Sequence, residues 1–323
     1  MLARLVLVVP LAAIAWLSAP DRELPGVPAP QHGADPDSAQ SCGECHVDFY
    51  NEWKGRAHAN AWTDEVYQAA LKDKTRPETC HNCHIPEPVL DRVGRKPKTR
   101  DVRHEEGVTC VSCHRSGDAI AGPFGATTDA HPVRKDPHFL APGSNELCAS
   151  CHATKIGPVL PLARDFEDAK MAEKGESCVG CHMPEIVRPL AIDPKTKQPG
   201  EVRKTRAHTI LGPNDVEFAA QAFAVAGRRD GEAFVITIKN EAGHRIPGLT
   251  IRSFPYEAVV RDAEGKELGR SGGAFSSDAE LMALQARELR VALPEGAKVV
   301  EFEIRHRFEE RDVAKILTEQ FSL

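Results

Sequence analysis

The stretch "CGECHVDFYNEWKGRAHANAW", Cys42 to Trp62, holds two histidines in different settings. His46 closes a Cys-x-x-Cys-His unit, whereas His58 has no cysteine beside it. Were the stretch one helix, the two would lie about 18 Å apart along its axis and point in different directions. His58 is therefore expected to serve a different centre from His46 and to tie two centres together. The fold turns on this reading, because the unit around His46 recurs along the chain.

It occurs five times, as Cys42–Cys45–His46, Cys80–Cys83–His84, Cys110–Cys113–His114, Cys148–Cys151–His152 and Cys178–Cys181–His182. All ten cysteines are consumed. Thiols at i and i+3 share one side of a helical turn, where they can add to two vinyl groups. The adjacent imidazole then meets the iron from one face. That is the attachment signature of c-type haem, so five covalently attached haems are expected. A disulfide framework would not place His after every second Cys. Zinc ribbons need four-cysteine sites, which five pairs do not make.

Composition agrees. Aromatic residues make up only 6% of the 323 positions, while Gly and Pro contribute 24 each. Porphyrins packed within residues 42–182 would supply the interior that side chains do not. Lys and Arg number 41 against 47 Asp and Glu, a formal charge of −6, which gives no reason to expect nucleic-acid binding. Haem propionates would make the surface more acidic still.

Five irons offer ten axial positions, and five are taken by His46, His84, His114, His152 and His182. Nine further histidines remain of the 14. The expected second ligands are His58, His208, His131, His104 and His244. His81, His306 and His32 are read as backbone-held, strand and linker residues, and His138, in "DPHF", stays outside the set. A second histidine makes a six-coordinate centre suited to electron transfer, while its lack leaves an open iron. Full bis-histidine ligation and one open iron both fit the count.

Residues 1–20 carry Arg4 and then a short apolar run, too short for a comfortable span of roughly 20 residues. They read as a secretion signal peptide or, uncleaved, an N-terminal anchor associating with the inner membrane. Residues 21–40 read as a Pro/Gly-rich linker and 41–212 as the haem domain. From 213 to 323 there are no cysteines, and "EAFVITIKN" (232–240), "PYEAVVRD" (255–262), "LRVALP" (289–294) and "KVVEFEIRHRF" (298–308) alternate as strands do. The expected class is α+β: mainly short helices and loops wrapped around five haems, then a small antiparallel β-sandwich-like domain. "SSDAELMALQARELR" (276–290) is expected to contain a short helix.

"CGECHVDFYNEWKGRAHANA", with "EGVTCVSCH" and "CHMP" further on, resembles the multihaem cytochromes of the cytochrome c-554 type over residues 41–210. The resemblance implies that His58 ligates the third haem, His131 the first and His208 the fourth. It also implies that the second haem, on His84, is five-coordinate. A fifth unit and the added β-domain depart from that family. "NEAGHRIPG" (240–248, around His244) is similar to a turn in other multihaem cytochromes carrying such a domain.

The function expected is that of an exported, periplasmic or otherwise extracytoplasmic electron carrier, passing electrons between redox protein partners. The alternative is a reductase or oxidase of a small nitrogen or sulfur species at a five-coordinate haem. The Cys-x-x-Cys-Lys unit of the pentahaem nitrite reductases has no counterpart here. Tyr50 and Tyr67 are expected to pack around the first haem, and Lys54 and Arg56 to pair with propionates.

Overall fold

The computed structural model describes residues 35–125 and 128–323, so the expectations for residues 1–20, for most of the linker and for His32 lie outside it. From Pro36 to Leu323 the described chain forms one compact unit. Helices and short hairpins come first: α1 (Ala39–Gly43), α2 (Val47–Trp53), α3 (Glu65–Lys72), α4 (Glu78–His84), α5 (Cys110–His114), α6 (Gly143–His152), α7 (Leu162–Asp168), α8 (Cys178–His182) and α9 (Val216–Ala220). Residues 39 and 40, expected as linker, already belong to α1, which Ser38 caps by accepting from the Ser41 amide.

Among the described residues no α-helix exceeds the ten residues of α6, and helices this short are marginal without outside support. Their caps supply some. Asp64 accepts from the Tyr67 amide at the start of α3, Ser177 from Gly180 at α8, and Thr109 with Ser112 forms a reciprocal box at α5. None of the described helices is long and apolar enough to cross a membrane.

Small sheets interrupt the helices: β1 (Arg115–Ser116), β2 (Ala119–Gly122) and β3 (Val133–Lys135) form one, β4 (Glu185–Pro189) and β5 (Val202–Arg206) a hairpin. The remaining strands are β6 (Phe223–Asp230), β7 (Ala233–Asn240), β8 (Arg252–Arg261), β9 (Glu267–Phe275), β10 (Ala286–Ala292), β11 (Val299–Phe308) and β12 (Arg311–Ser322). They build two antiparallel sheets, ordered β10-β7-β6 and β12-β11-β8-β9. The alternation in the sequence has its cause here: Phe254, Tyr256, Ala258 and Val260 on β8, and Val300, Phe302 and Ile304 on β11, are all buried on one face.

One buried apolar cluster draws on both sheets and begins at Ala219. Upstream of it, buried apolar side chains such as Ile85, Leu90 and Val111 lie outside that cluster. The short helix expected within 276–290 does not form. Leu281 instead bridges to Ile246, its carbonyl and that of Met282 accept from Asn240, and β10 starts at Ala286. An exposed polar helix there would have cost Asn240, fully buried, two of its three carbonyl acceptors.

Candidate functional site

Each cysteine pair lies on one helical turn with its histidine at the end of it. Helices α4, α5, α6 and α8 terminate on His84, His114, His152 and His182. In the first unit the turn runs out of α1, with the His46 amide donating to the Cys42 carbonyl over 2.8 Å. All fifteen unit residues line one cavity of about 3720 Å³, together with His58, His131, His208 and His244. That is several times the roughly 300–1,000 Å³ of an ordinary small-molecule site.

The histidines meet across this cavity in pairs. Ring centroids are 6.4 Å apart for His46 and His131, 6.2 Å for His58 and His152, 6.1 Å for His114 and His208, and 6.3 Å for His182 and His244. Two imidazoles whose nitrogens each bond a shared metal at about 2 Å have centroids roughly 6 Å apart. The spacing is too wide for stacked rings in contact and suits an iron between them.

Hydrogen bonding orients the same rings. A backbone carbonyl can only accept, so Nδ1 donates in His46 (to Leu190), His114 (to Ala121), His182 (to Leu211), His208 (to Arg206) and His244 (to Arg245), over 2.6–3.0 Å. Each ring then presents an Nε2 lone pair, the form that binds metal. Burial, reinforced by the neighbouring histidine, lowers His58 and His208 to about 4, so both are neutral at pH 7.

Unit cysteines also lie near one another across units: Cys42 by Cys110, Cys83 by Cys151, and Cys148 by Cys178. Cys113 lies within electrostatic reach of Cys148 and Cys151. The neighbouring thiol, and then burial, pushes Cys110, Cys148 and Cys151 up, and burial alone pushes Cys113 up to about 11. The other member of each pair is lowered by the same neighbouring thiol: Cys42, Cys178, and Cys83 to about 7. Among the described residues no group of three or more His, Cys, Asp or Glu is disposed to hold a metal ion, and the ten cysteines form no disulfide. The donor set suits thioether-linked iron porphyrins, with the unit histidines and their four partners as axial nitrogens.

The second unit is different. The ring contact of His84 is with Tyr67, stacked 3.7 Å away at 7°, and not with a second histidine. Its Nδ1 donates to Ala61 over 2.5 Å. The Tyr67 hydroxyl is buried without a partner, and burial together with Cys80 and Cys83 raises its pKa well above the usual phenol range.

Residues 41–115 match the family model described as cytochrome c554 and c-prime. Over 128 residues the chain is 30% identical to the multihaem cytochrome MtrA of Shewanella baltica (strain OS185), a stretch covering 37% of this chain and 33% of that protein. The chain thus spans about a third of that relative's length. Its fold is similar to that of a penta-haem cytochrome c552 from Thermochromatium tepidum, with a TM-score of 0.67 at 17% identity, over 88% of this chain and 98% of the other.

By these matches the chain is similar to the multihaem c-type cytochromes.

Several expectations for the chain change with the geometry. His58 stands opposite His152 of the fourth unit, not the third, and His208 opposite His114 of the third, not the fourth. The chain leaves α2 at Lys54, and the His58 carbonyl then docks on the loop before the third unit by accepting from the Val108 amide. Gly107 makes that approach possible, since a Cβ there would lie 2.4 Å from the His58 carbonyl oxygen. With its backbone held against the third unit's loop, the ring is left to face the fourth.

His104 meets none of the unit histidines. Its Nε2 donates to the Arg100 carbonyl over 2.9 Å and its ring packs on Trp62, so the nitrogen a haem iron would need is already engaged. Tyr67 lies against the second unit, not the first, while Tyr50 stays by α1, against Gly43. Arg56 is paired with Asp215 at 2.7 Å, and Lys54 lies over the Tyr50 ring.

The sequence offered no signal for two carboxylates that hold the backbone at or beside partner histidines. Glu52 takes a bidentate pair from Arg188 at 2.6 and 2.9 Å and accepts the His208 amide at 2.7 Å. Burial would raise Glu52, but Arg188 and that amide outweigh it and hold the carboxyl below its usual range. Asp165 does the equivalent for the turn carrying His244.

Proposed function

We propose that the cytochrome is an extracytoplasmic electron carrier with five covalent haems, one on each Cys-x-x-Cys-His unit. It would take electrons from one redox protein and deliver them to another. The observation that carries this reading is the set of four imidazole pairs at 6.1–6.4 Å. Bis-imidazole ligation leaves no open iron and suits fast outer-sphere transfer. The nearness of unit cysteines across units supports a continuous path, because macrocycles held on neighbouring cysteines are themselves neighbours. The first unit adjoins the third, the third the fourth, and the fourth both the second and the fifth.

We read residues 41–212 as the haem domain and 213–323 as a β-sandwich that covers it and lends it His244. The four partners are His131, His58, His208 and His244, in the order of the first, fourth, third and fifth units. His104 drops from the ligand set.

A second reading rests on His84. With Tyr67 and no second histidine beside it, the second haem would be five-coordinate and able to bind a small molecule. A reductase or oxidase of a small nitrogen or sulfur species would work there, as a side branch from the fourth haem.

Intact mass and spin-quantified low-temperature electron paramagnetic resonance test both readings on the oxidised protein. The expected result is a mass increase of five haems, four low-spin irons and one high-spin iron. Five low-spin irons would remove the open-site reading. Fewer than four would break the pairing.

A further inference from the structure

The ligand for the fifth haem comes from a different structural layer than the haem itself, and the joint between the layers is built from charge. His244 lies in the turn after β7. Its neighbour Arg245 crosses to α7 and forms a fork with Asp165: Nε to Oδ2 at 2.6 Å and Nη2 to Oδ1 at 2.7 Å. The Arg245 amide also points at Asp165 Oδ2, at 3.3 Å, and Nη1 donates to Glu280 at 2.9 Å. Asp165 is only 4% exposed.

On the other side of His244, Gly243 lies flat on α7, where a Cβ would come within 2.7 Å of the Phe166 ring. Asp165 and Phe166 are consecutive on α7 and grip the residues on either side of the histidine. Asn240 closes the turn by donating to the His244 carbonyl at 2.8 Å. The main chain of His244 is thus fixed at both flanks and at its own carbonyl, while the ring faces His182 at an interplanar angle of 14°.

Apolar packing alone could hold two layers together with more slack. A buried bidentate pair is directional: it fixes both the distance and the angle of approach. From this we infer that Asp165 and Arg245 are positioning residues for the fifth haem, holding His244 at bonding distance from the iron on His182. The inference rests on the proposed His182–His244 ligation. Groups one step removed from a metal ligand typically contribute 10–100-fold to metal affinity. Loss of the pair is expected to loosen His244 by roughly that factor and to convert part of one low-spin iron to high spin.

The test is electron paramagnetic resonance of the full-length haem-loaded protein in three variants, with circular dichroism and the other haem signals reporting the fold. His244→Ala sets the reference by adding one haem's worth of high-spin signal. Asp165→Asn keeps the shape and removes the charge; it is expected to add a measurable part of that signal at the same haem. Asp165→Glu, which keeps the charge, is expected to recover most of the low-spin form. If Asp165→Asn does not accumulate, Arg245→Lys, which keeps the charge and loses the fork, is read in its place. A low-spin spectrum unchanged by Asp165→Asn or Arg245→Lys, alongside the expected His244→Ala effect, overturns the positioning role. A His244→Ala protein with no new high-spin iron overturns the ligation beneath it.

Discussion

His306 shows how much environment outweighs residue type. It sits on β11 in line with Phe302 and Ile304, is 1% exposed, stacks on Phe254 at 5.3 Å, and has no partner for either ring nitrogen. Burial first, and then the nearby Arg252, lowers it from 6.5 to about 4. Between those pH values the unfolded chain holds more protons than the fold, so acid weakens the fold across that window. The full shift corresponds to at most about 3 kcal/mol. Replacement by Phe keeps the stack and removes two unpaired polar atoms. His306→Phe is expected to stabilise the protein by about 1–2 kcal/mol at pH 7 and to flatten the loss between pH 6.5 and 4. Chemical denaturation at several pH values reads both effects, and an equal loss in the variant would refute the account. Nothing in the local sequence separates this histidine from a ligand; only the strand's two-residue period places it inward.

At the level of elements, the loop before α5 depends on one side chain. Arg100 is 5% exposed and donates to the carbonyls of Val102, Pro86, Arg103 and Gly107 and to the Ser112 hydroxyl. It fixes the loop that carries Gly107 against His58. Arg100→Met keeps the aliphatic stem but removes all five of these hydrogen bonds, those to Val102 and Gly107 with no other donor among the described residues, a loss on the order of 3 kcal/mol. Thermal unfolding of the variant checks this, and a midpoint equal to wild type would show that the loop holds without it. The units and strands were legible because covalent chemistry and a two-residue period leave direct marks. Strands β7, β8, β10 and β11 fall where their alternation indicated. β6, β9 and β12 escaped notice because Arg, Gly and Glu fill their exposed positions and blur the period. The pairing of His58 with His152 could not be read from spacing, since it depends on a loop docking from fifty residues away.

Taken as one molecule, and on the ligation proposed above, the protein would offer four iron positions guarded by a histidine pair and one, at His84, beside Tyr67. Cyanide or imidazole added to the oxidised protein is therefore expected to perturb one haem out of five at low concentration. Optical titration checks the stoichiometry. Saturation at two or more equivalents would mean that the partner histidines are held more loosely than their hydrogen bonds imply, and no perturbation would mean that Tyr67 or its surroundings close the second site.

The order of the histidine pairs along the chain has a consequence for how the protein matures. Any chain emerges N-terminus first. Only His152 finds its partner, His58, already made. His46 waits for His131, His114 for His208, and His182 for His244, which arrives with the β-strands. Each haem can be attached as soon as its own cysteines appear, but three of the four pairs close only later. A nascent cytochrome would pass through stages in which several irons are reactive, and the last strands to fold would also complete its final pair.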